Sequence, residues 1–246
     1  MKEFPILFKS NMVNAILEGR KTQTRRVVKN KLVVEQAEFE CGNRPNVTRS
    51  EPSLQYLVDN NCPYGQVGDR LWVRETWAPV NLYGEIALAY KADSKVIRVE
   101  ENESFLDEEG FINYDDPRLE KYSFAVWAED LLDGEEGNWS PSIHMPRWAC
   151  RLVLEITSVR VEQLNDISAE DCLKEGIVDG CCLRCRFEAC RCKDRQPDLI
   201  QGFAREWSNE NGFFPTEKWV SYGGKAWRDN PWVWVVEFKV IQGGAV

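Results

Sequence analysis

The stretch Gly19-Arg20-Lys21-Thr22-Gln23-Thr24-Arg25-Arg26 decides how this chain is read. Upstream of it, Met12, Ala15 and Ile16 recur at helical spacing, and Ser10 or Asn11 can cap the helix they predict. Gly19 then stands where a C′ glycine ends a helix in the left-handed conformation. The basic run therefore begins in an exit turn, with main-chain groups accessible. Ahead of the helix, the apolar stretch Phe4 to Phe8 reads as an opening strand.

Charge singles out the same region. The chain has 246 residues and a formal charge of −9, which argues against non-specific binding of polyanions. Yet between Lys2 and Lys31 eight basic residues face only two acids, Glu3 and Glu18. Acids concentrate at Glu100-Glu101-Asn102-Glu103, Asp107-Glu108-Glu109, Asp115-Asp116 and between Glu129 and Glu136. A positive cleft on an acidic body suits a small or single-stranded anionic ligand. The plainer alternative is a solvated acidic surface with an incidental basic loop. Hydrophobic residues make up 43% of the chain and ten are tryptophan, enough for a core and against wholesale disorder. No apolar run reaches membrane-spanning length, and Met1-Lys2-Glu3-Phe4-Pro5 lacks the apolar centre of a secretion signal. The expectation is a soluble cytoplasmic protein with no membrane partner.

Farther along, residues 30–66 read as irregular, with turns at Gly42-Asn43-Arg44-Pro45 and Cys62-Pro63-Tyr64-Gly65. Gly68-Asp69 introduces Arg70 to Trp77, where Leu71 and Val73 alternate with Arg70 and Arg74 as in a half-buried strand. Ile86 to Tyr90 and Ser123 to Trp127 are strand-like patches inside the acidic segment 80–140, and Arg151 to Val161 alternates again. Ser168 and Asp171 form a capping-box pattern for a short helix that Gly176 ends. Trp232 to Phe238 is the most β-prone segment. Trp207, Trp219 and Trp227 belong either to a lid or to packing. Strands with short helices between them predict a partly closed barrel rather than a βαβ sheet.

The octapeptide resembles the Gly-x-Lys-x-x-x-x-Arg signature of the ASCH family, which belongs to the PUA-like superfold. The helix before Gly19, the Val67-Gly68-Asp69 turn, the Glu175-Gly176-Ile177 helix end and the Val236 to Lys239 strand agree with it in order. Cys62-Pro63-Tyr64-Gly65, Trp72 to Trp77, Ile143 to Trp148 and Asn230 to Trp234 are similar to larger ASCH-containing proteins of phages and prophages. The resemblance implies an α+β, mainly β fold: a PUA-like (ASCH) β-barrel with short flanking helices. It would be a single domain over 1–246, with insertions at about 30–66, 80–140 and 178–225. One ASCH branch removes the acetyl group from N4-acetylcytidine, and its catalytic trio falls on Lys21, Thr24 and Glu175. Other members bind or cleave RNA. The resemblance thus implies an RNA or modified nucleoside partner and, with it, an amidohydrolase; a non-catalytic reader of RNA or a metal-independent ribonuclease are the alternatives.

Amide hydrolysis at this trio would use the Thr24 hydroxyl as nucleophile and Lys21 as its base, a role open only to the neutral amine. Glu175 is better cast as a proton carrier to the leaving amine. Lys21 and Thr24 are three residues apart, so a flat strand would send them to opposite faces, and a bend after Gly19 is required. A surface turn with no chemistry is the plain alternative. Arg20, Arg25 and Arg26 are candidate substrate-binding residues, as are Arg74, Glu75 and Trp77, where an indole would stack on a base. The other reading puts the tryptophans in the core and pairs Arg74 with Glu75 at the surface. His144, the only histidine, and Arg147 complete the candidate set.

Five of nine cysteines fall at Cys181, Cys182, Cys185, Cys190 and Cys192. Cys182-x-x-Cys185 with Cys190-x-Cys192 can supply four thiolates to a structural zinc, with Cys181 able to replace Cys182. Free thiols in an insertion are the alternative. No metal is required for the catalysis described, and four protein ligands would leave no open position on the ion.

Overall fold

The computed structural model describes residues 1–42, 53–180, 198–210 and 225–242. In chain order its elements are β1 (Glu3–Leu7), α1 (Ser10–Leu17), β2 (Gln23–Val27), α2 (Lys31–Glu40), α3 (Leu54–Asn61), β3 (Arg70–Arg74), β4 (Trp77–Leu82), β5 (Glu85–Tyr90) and β6 (Val96–Arg98). There follow α4 (Ala128–Asp133), β7 (Val153–Gln163), α5 (Ala169–Lys174), α6 (Leu199–Glu210), α7 (Lys225–Arg228) and β8 (Trp232–Gln242). The class is α+β. No helix among the described residues is long and apolar enough to cross a membrane.

The alternation in the sequence becomes real strand faces. Leu71 and Val73 of β3 are fully buried, whereas Arg70, Trp72 and Arg74 are only half-buried. β3 joins a five-stranded sheet of order β1-β3-β7-β8-β2, and β4-β5-β6 form a separate antiparallel sheet. Among the described residues neither sheet closes into a barrel, because β1 and β2 stand at opposite ends of the larger one and the strands from 77 to 98 pair among themselves. β2 runs antiparallel to β8, with Thr24 opposite Val236 and Arg25 opposite Val235.

Two expectations fail locally. The segment 30–66 is not irregular throughout. In α2, Asn30 caps the helix through its side chain, and Val33, Gln36 and Ala37 bury one face at helical spacing. In α3, Ser53 does the same and Leu57 and Val58 are buried. Conversely, Ser123 to Trp127 forms no strand; only Trp127 makes an isolated bridge, to Asn81. Helix α1 begins at Ser10, one residue earlier than a Ser10 cap implies, with the Met12 and Val13 amides returning to the Lys9 carbonyl at 3.0 Å, and Val13 rather than Met12 joins Ala15 and Ile16 in the core.

The backbone divides into two compact units, one of Met1–Phe4, Ala15–Leu71 and Leu154–Val246, the other of Pro5–Asn14 and Trp72–Val153. In the first, Phe203, Ala204 and Trp207 of α6 pack with Leu164, Ile167, Cys172, Ile177 and Trp227 against Val233 and Val235 of β8. Each such large apolar side chain contributes about 1.5–3 kcal/mol on burial. Trp207 and Trp227 are thus packing residues. In the second unit, Trp77, Tyr122, Trp148 and Phe105 meet edge to face, with ring centres 5.1–6.2 Å apart.

Candidate functional site

Helix α1 ends as its glycine predicts. Gly19 adopts φ +72°, and the amides of Arg20 and Lys21 both return to the Ala15 carbonyl at 2.9 Å. That tight exit brings Lys21 to a one-residue bridge with Glu175 before β2 begins at Gln23. On the other side, Ser168 and Asp171 close the capping box of α5, and Glu175 is its C-terminal cap. Gly176 follows at φ +89°; a Cβ there would lie 3.0 Å from the Ala15 Cβ and 3.3 Å from the Lys21 Cβ, so only glycine lets the two segments approach this closely.

The approach produces an ion pair. Lys21 Nζ donates to Glu175 Oε2 at 2.6 Å and to the Glu175 carbonyl at 3.0 Å, with both side chains almost wholly buried. Arg25 Nη1 donates to the other carboxylate oxygen of Glu175 at 3.0 Å. The Arg25 guanidinium also engages Glu162 through Nε at 3.1 Å and lies 3.3 Å from Asp171. Arg160 links the outer side of the same group to Glu237 at 2.6 Å, Glu162 at 3.0 Å and Asp171 at 3.3 Å. Assigned by its neighbours, the Gln23 amide accepts from Arg25 and donates to Glu237 and Asp171 at 3.2 Å. Lys21, Arg25 and Arg160 therefore face Glu162, Asp171, Glu175 and Glu237. Burial pushes the Asp171 carboxyl up, but the Ser168 hydroxyl and the charges of Arg25 and Arg160 outweigh it and hold the group below the usual range.

Thr24 is fully buried in β2, and its Oγ1 has no hydrogen-bond partner. An unsatisfied buried hydroxyl is unfavourable, so its retention calls for a reason. The neighbouring thiol of Cys172 offers no rival nucleophile, since burial pushes its pKa up to about 12.

The remaining candidates separate. Arg25 cannot touch a substrate as expected, because its side chain is fully enclosed by carboxylates and by Phe203, 5.8 Å from its guanidinium carbon. Arg20 is exposed, paired with Glu18 and donating to the Gly176 carbonyl at 3.0 Å, so it borders the Lys21–Glu175 pair. Arg26 is half-buried and donates to the Arg25 carbonyl at 3.2 Å.

Arg74, Glu75, Trp77, His144 and Arg147 all belong to the second unit. Trp77 is core, not a stacking platform. Glu75 does not pair with Arg74. It is buried and held bidentately by Arg151 at 2.8 Å, and Arg151 also engages Asp93 at 2.8 and 2.9 Å. Burial pushes the Glu75 carboxyl up despite Arg151. His144 and Arg147 are exposed.

The pairing of Lys21 with Glu175 came from motif resemblance, whereas nothing in the residue pattern pointed to Arg160, Glu162, Glu237, Asp93 or Arg151. In the first unit Glu162 meets Arg25 across 137 residues of chain, and in the second Arg151 meets Glu75 across 76, which no local spacing encodes. The cysteine set Cys182, Cys185, Cys190 and Cys192 lies outside the described residues, and among those described no group of three or more His, Cys, Asp or Glu could hold a metal ion.

Compared with known proteins, the chain matches no family model, no curated protein and no solved structure.

Proposed function

We propose that this chain is a PUA-like ASCH protein that binds RNA or a nucleoside and hydrolyses the N4-acyl amide of a modified cytidine with Lys21, Thr24 and Glu175. The observation that carries the reading is the meeting of Lys21 and Glu175, 154 residues apart, at 2.6 Å, on the two motif positions that the resemblance marks. Thr24, three residues on, is fully buried and its hydroxyl makes no hydrogen bond to Lys21, so the reading requires the amine to move to it when substrate enters. The direct pairing of β2 with β8, right after the α1 exit turn, supports the ASCH fold.

In this reading the Thr24 oxygen bonds to the acyl carbon and the C–N4 bond breaks. Because Lys21 is engaged in an ion pair, it first yields a proton to Glu175. Released from the pair, it must swing to the Thr24 hydroxyl, to which it makes no hydrogen bond, to take that proton, and Glu175 delivers its own to the departing amine. Water then cleaves the acyl-threonine ester, releasing the carboxylic acid. Arg25 and Arg160 hold the carboxylates in place and touch no substrate. Arg20 is the exposed group that a ligand displaces on entry.

A second reading, a non-catalytic reader, draws on the same pair: Lys21 and Glu175 satisfy each other in a buried ion pair, as structural groups do. Incubation with N4-acetylcytidine, followed by its ultraviolet spectrum, separates the two. Hydrolysis predicts turnover that falls by about 10²-fold or more in Thr24→Val and is partly retained in Thr24→Ser. Absence of turnover in the unaltered protein, with cytidine or RNA still bound, leaves the reader.

A further inference from the structure

Three arginines of the described residues stack on an aromatic ring and are also neutralised. Arg25 lies over Phe203 with Glu175 at 3.0 Å. Arg118 lies 3.9 Å from the centre of Phe105 with Asp116 at 2.6 Å. Arg151 lies 4.1 Å from the centre of Tyr90 with Glu75 and Asp93 at 2.8 Å.

Arg74 breaks this pattern. Its guanidinium carbon sits 5.3 Å from the centre of the Trp72 ring, yet among the described residues no carboxylate lies within ion-pair distance of it. The adjacent carboxylate, Glu75, is committed to Arg151. Arg74 donates through Nη2 to the Ile143 carbonyl, its Nε is buried without a partner, and Nη1 has no acceptor among the described residues. A second cation, Arg147, stands 5.9 Å from the same indole, and exposed His144 follows Ile143 in the chain. A half-buried guanidinium with no carboxylate against it, as at Arg74, is costly to keep. In a chain of net charge −9, with carboxylates on the stacked Arg25, Arg118 and Arg151, the absence of one on Arg74 among the described residues marks a place reserved for an anion.

We propose that Trp72, Arg74 and Arg147, with His144 at the edge, form a phosphate-binding site for a nucleotide group. Planar guanidinium donors suit phosphate oxygens, and the indole face holds the cations in place. The ring accordingly presents cations to the ligand, and the base-stacking role expected of an indole here is replaced by recognition of the backbone phosphate. The nucleotide identity of the ligand rests on the nucleic-acid reading above; phosphate recognition itself does not.

The test is fluorescence anisotropy with a labelled single-stranded RNA of about ten nucleotides across a salt series. Unlabelled inorganic phosphate, cytidine 5′-monophosphate and cytidine serve as competitors. The site predicts that the two phosphate compounds compete in the unaltered protein and lose that effect in Arg74→Gln, whereas any competition by cytidine is the same in both. Arg74→Gln should weaken binding roughly tenfold and lower the slope of log affinity against log salt by about 0.7. Arg147→Gln should act in the same direction, and Arg118→Gln, which removes an already neutralised stacked arginine, should change nothing. Circular dichroism of Arg74→Gln confirms that it folds. RNA bound no more tightly than the mononucleotide would assign the site to a free nucleotide; tighter binding assigns it to a strand. Equal affinities for Arg74→Gln and the unaltered protein, an equal loss with Arg118→Gln, or no binding of any phosphate compound would overturn the site. None of these ligands carries an acyl group, so the outcome is independent of turnover on N4-acetylcytidine.

Discussion

Arg25 in the first unit and Arg74 in the second are both strand arginines packed against an aromatic ring, and both read in the sequence as cleft residues. Their surroundings differ in sign. Arg25 is enclosed by Glu162, Asp171 and Glu175 and has no exposure at all. Arg74 has a carbonyl, an indole and a buried donor left over. The lesson is that the counter-charges, more than the arginine itself, separate a structural guanidinium from one kept for a ligand. Enclosure by carboxylates makes an arginine part of the scaffold; their omission makes it a receptor.

The most severe way to break the contrast is to remove the scaffold arginine. Arg25→Met leaves three carboxylates with too little positive charge in a buried setting, and should destabilise the protein by about 3–5 kcal/mol, read as a lowered urea midpoint. A loss under 1 kcal/mol would mean that the carboxylates are better solvated than their burial implies. The acid limb of stability sharpens the same point. The Asp171 carboxyl is depressed in the fold, so its contribution is present above the unfolded value and is lost as pH falls through the lower folded one. Asp171→Asn should therefore lower stability at pH 7 by on the order of 1 kcal/mol and flatten its decline below about pH 4. An acid limb unchanged in Asp171→Asn would show that other carboxylates govern it. The smallest effect is expected where no carboxylate faces the charge: Arg74→Gln should shift unfolding by no more than about 0.5 kcal/mol. A loss as large as that of Arg25→Met would make Arg74 a scaffold residue after all.

The sequence carried the fold where a residue acts through its own backbone. Gly19 ended α1 and the Ser168–Asp171 box opened α5 because a left-handed turn and a hydroxyl cap are local chemistry. The alternation of Leu71 and Val73 gave β3 for the same reason. Helices α2 and α3 escape a reading of the sequence because their buried faces are short, three residues in α2 with polar Gln36 among them and two in α3, and the turns beside them are conspicuous. The site was half legible. Lys21 and Glu175 could be named from a motif, but Arg25 is expected to meet a substrate, since a basic residue in an exit turn ordinarily faces water or a ligand. Only carboxylates delivered by β7 and α5 reverse that preference, and their arrival is a property of topology. The cations resting on Trp72 come from different parts of the chain, which no local pattern around that residue encodes.

The crowding at Gly176 reaches beyond its turn. A methyl at 176 would lie 3.0 Å from the methyl of Ala15, so the space between the two sites is already filled from the helix side. Swapping them would place glycine inside α1, at about 1 kcal/mol, and force a side chain into a left-handed backbone. Neither route is open, and among divergent sequences of this fold alanine at 15 and glycine at 176 should be inherited as a pair, an evolutionary signature of the hinge on which the amine and the acid meet.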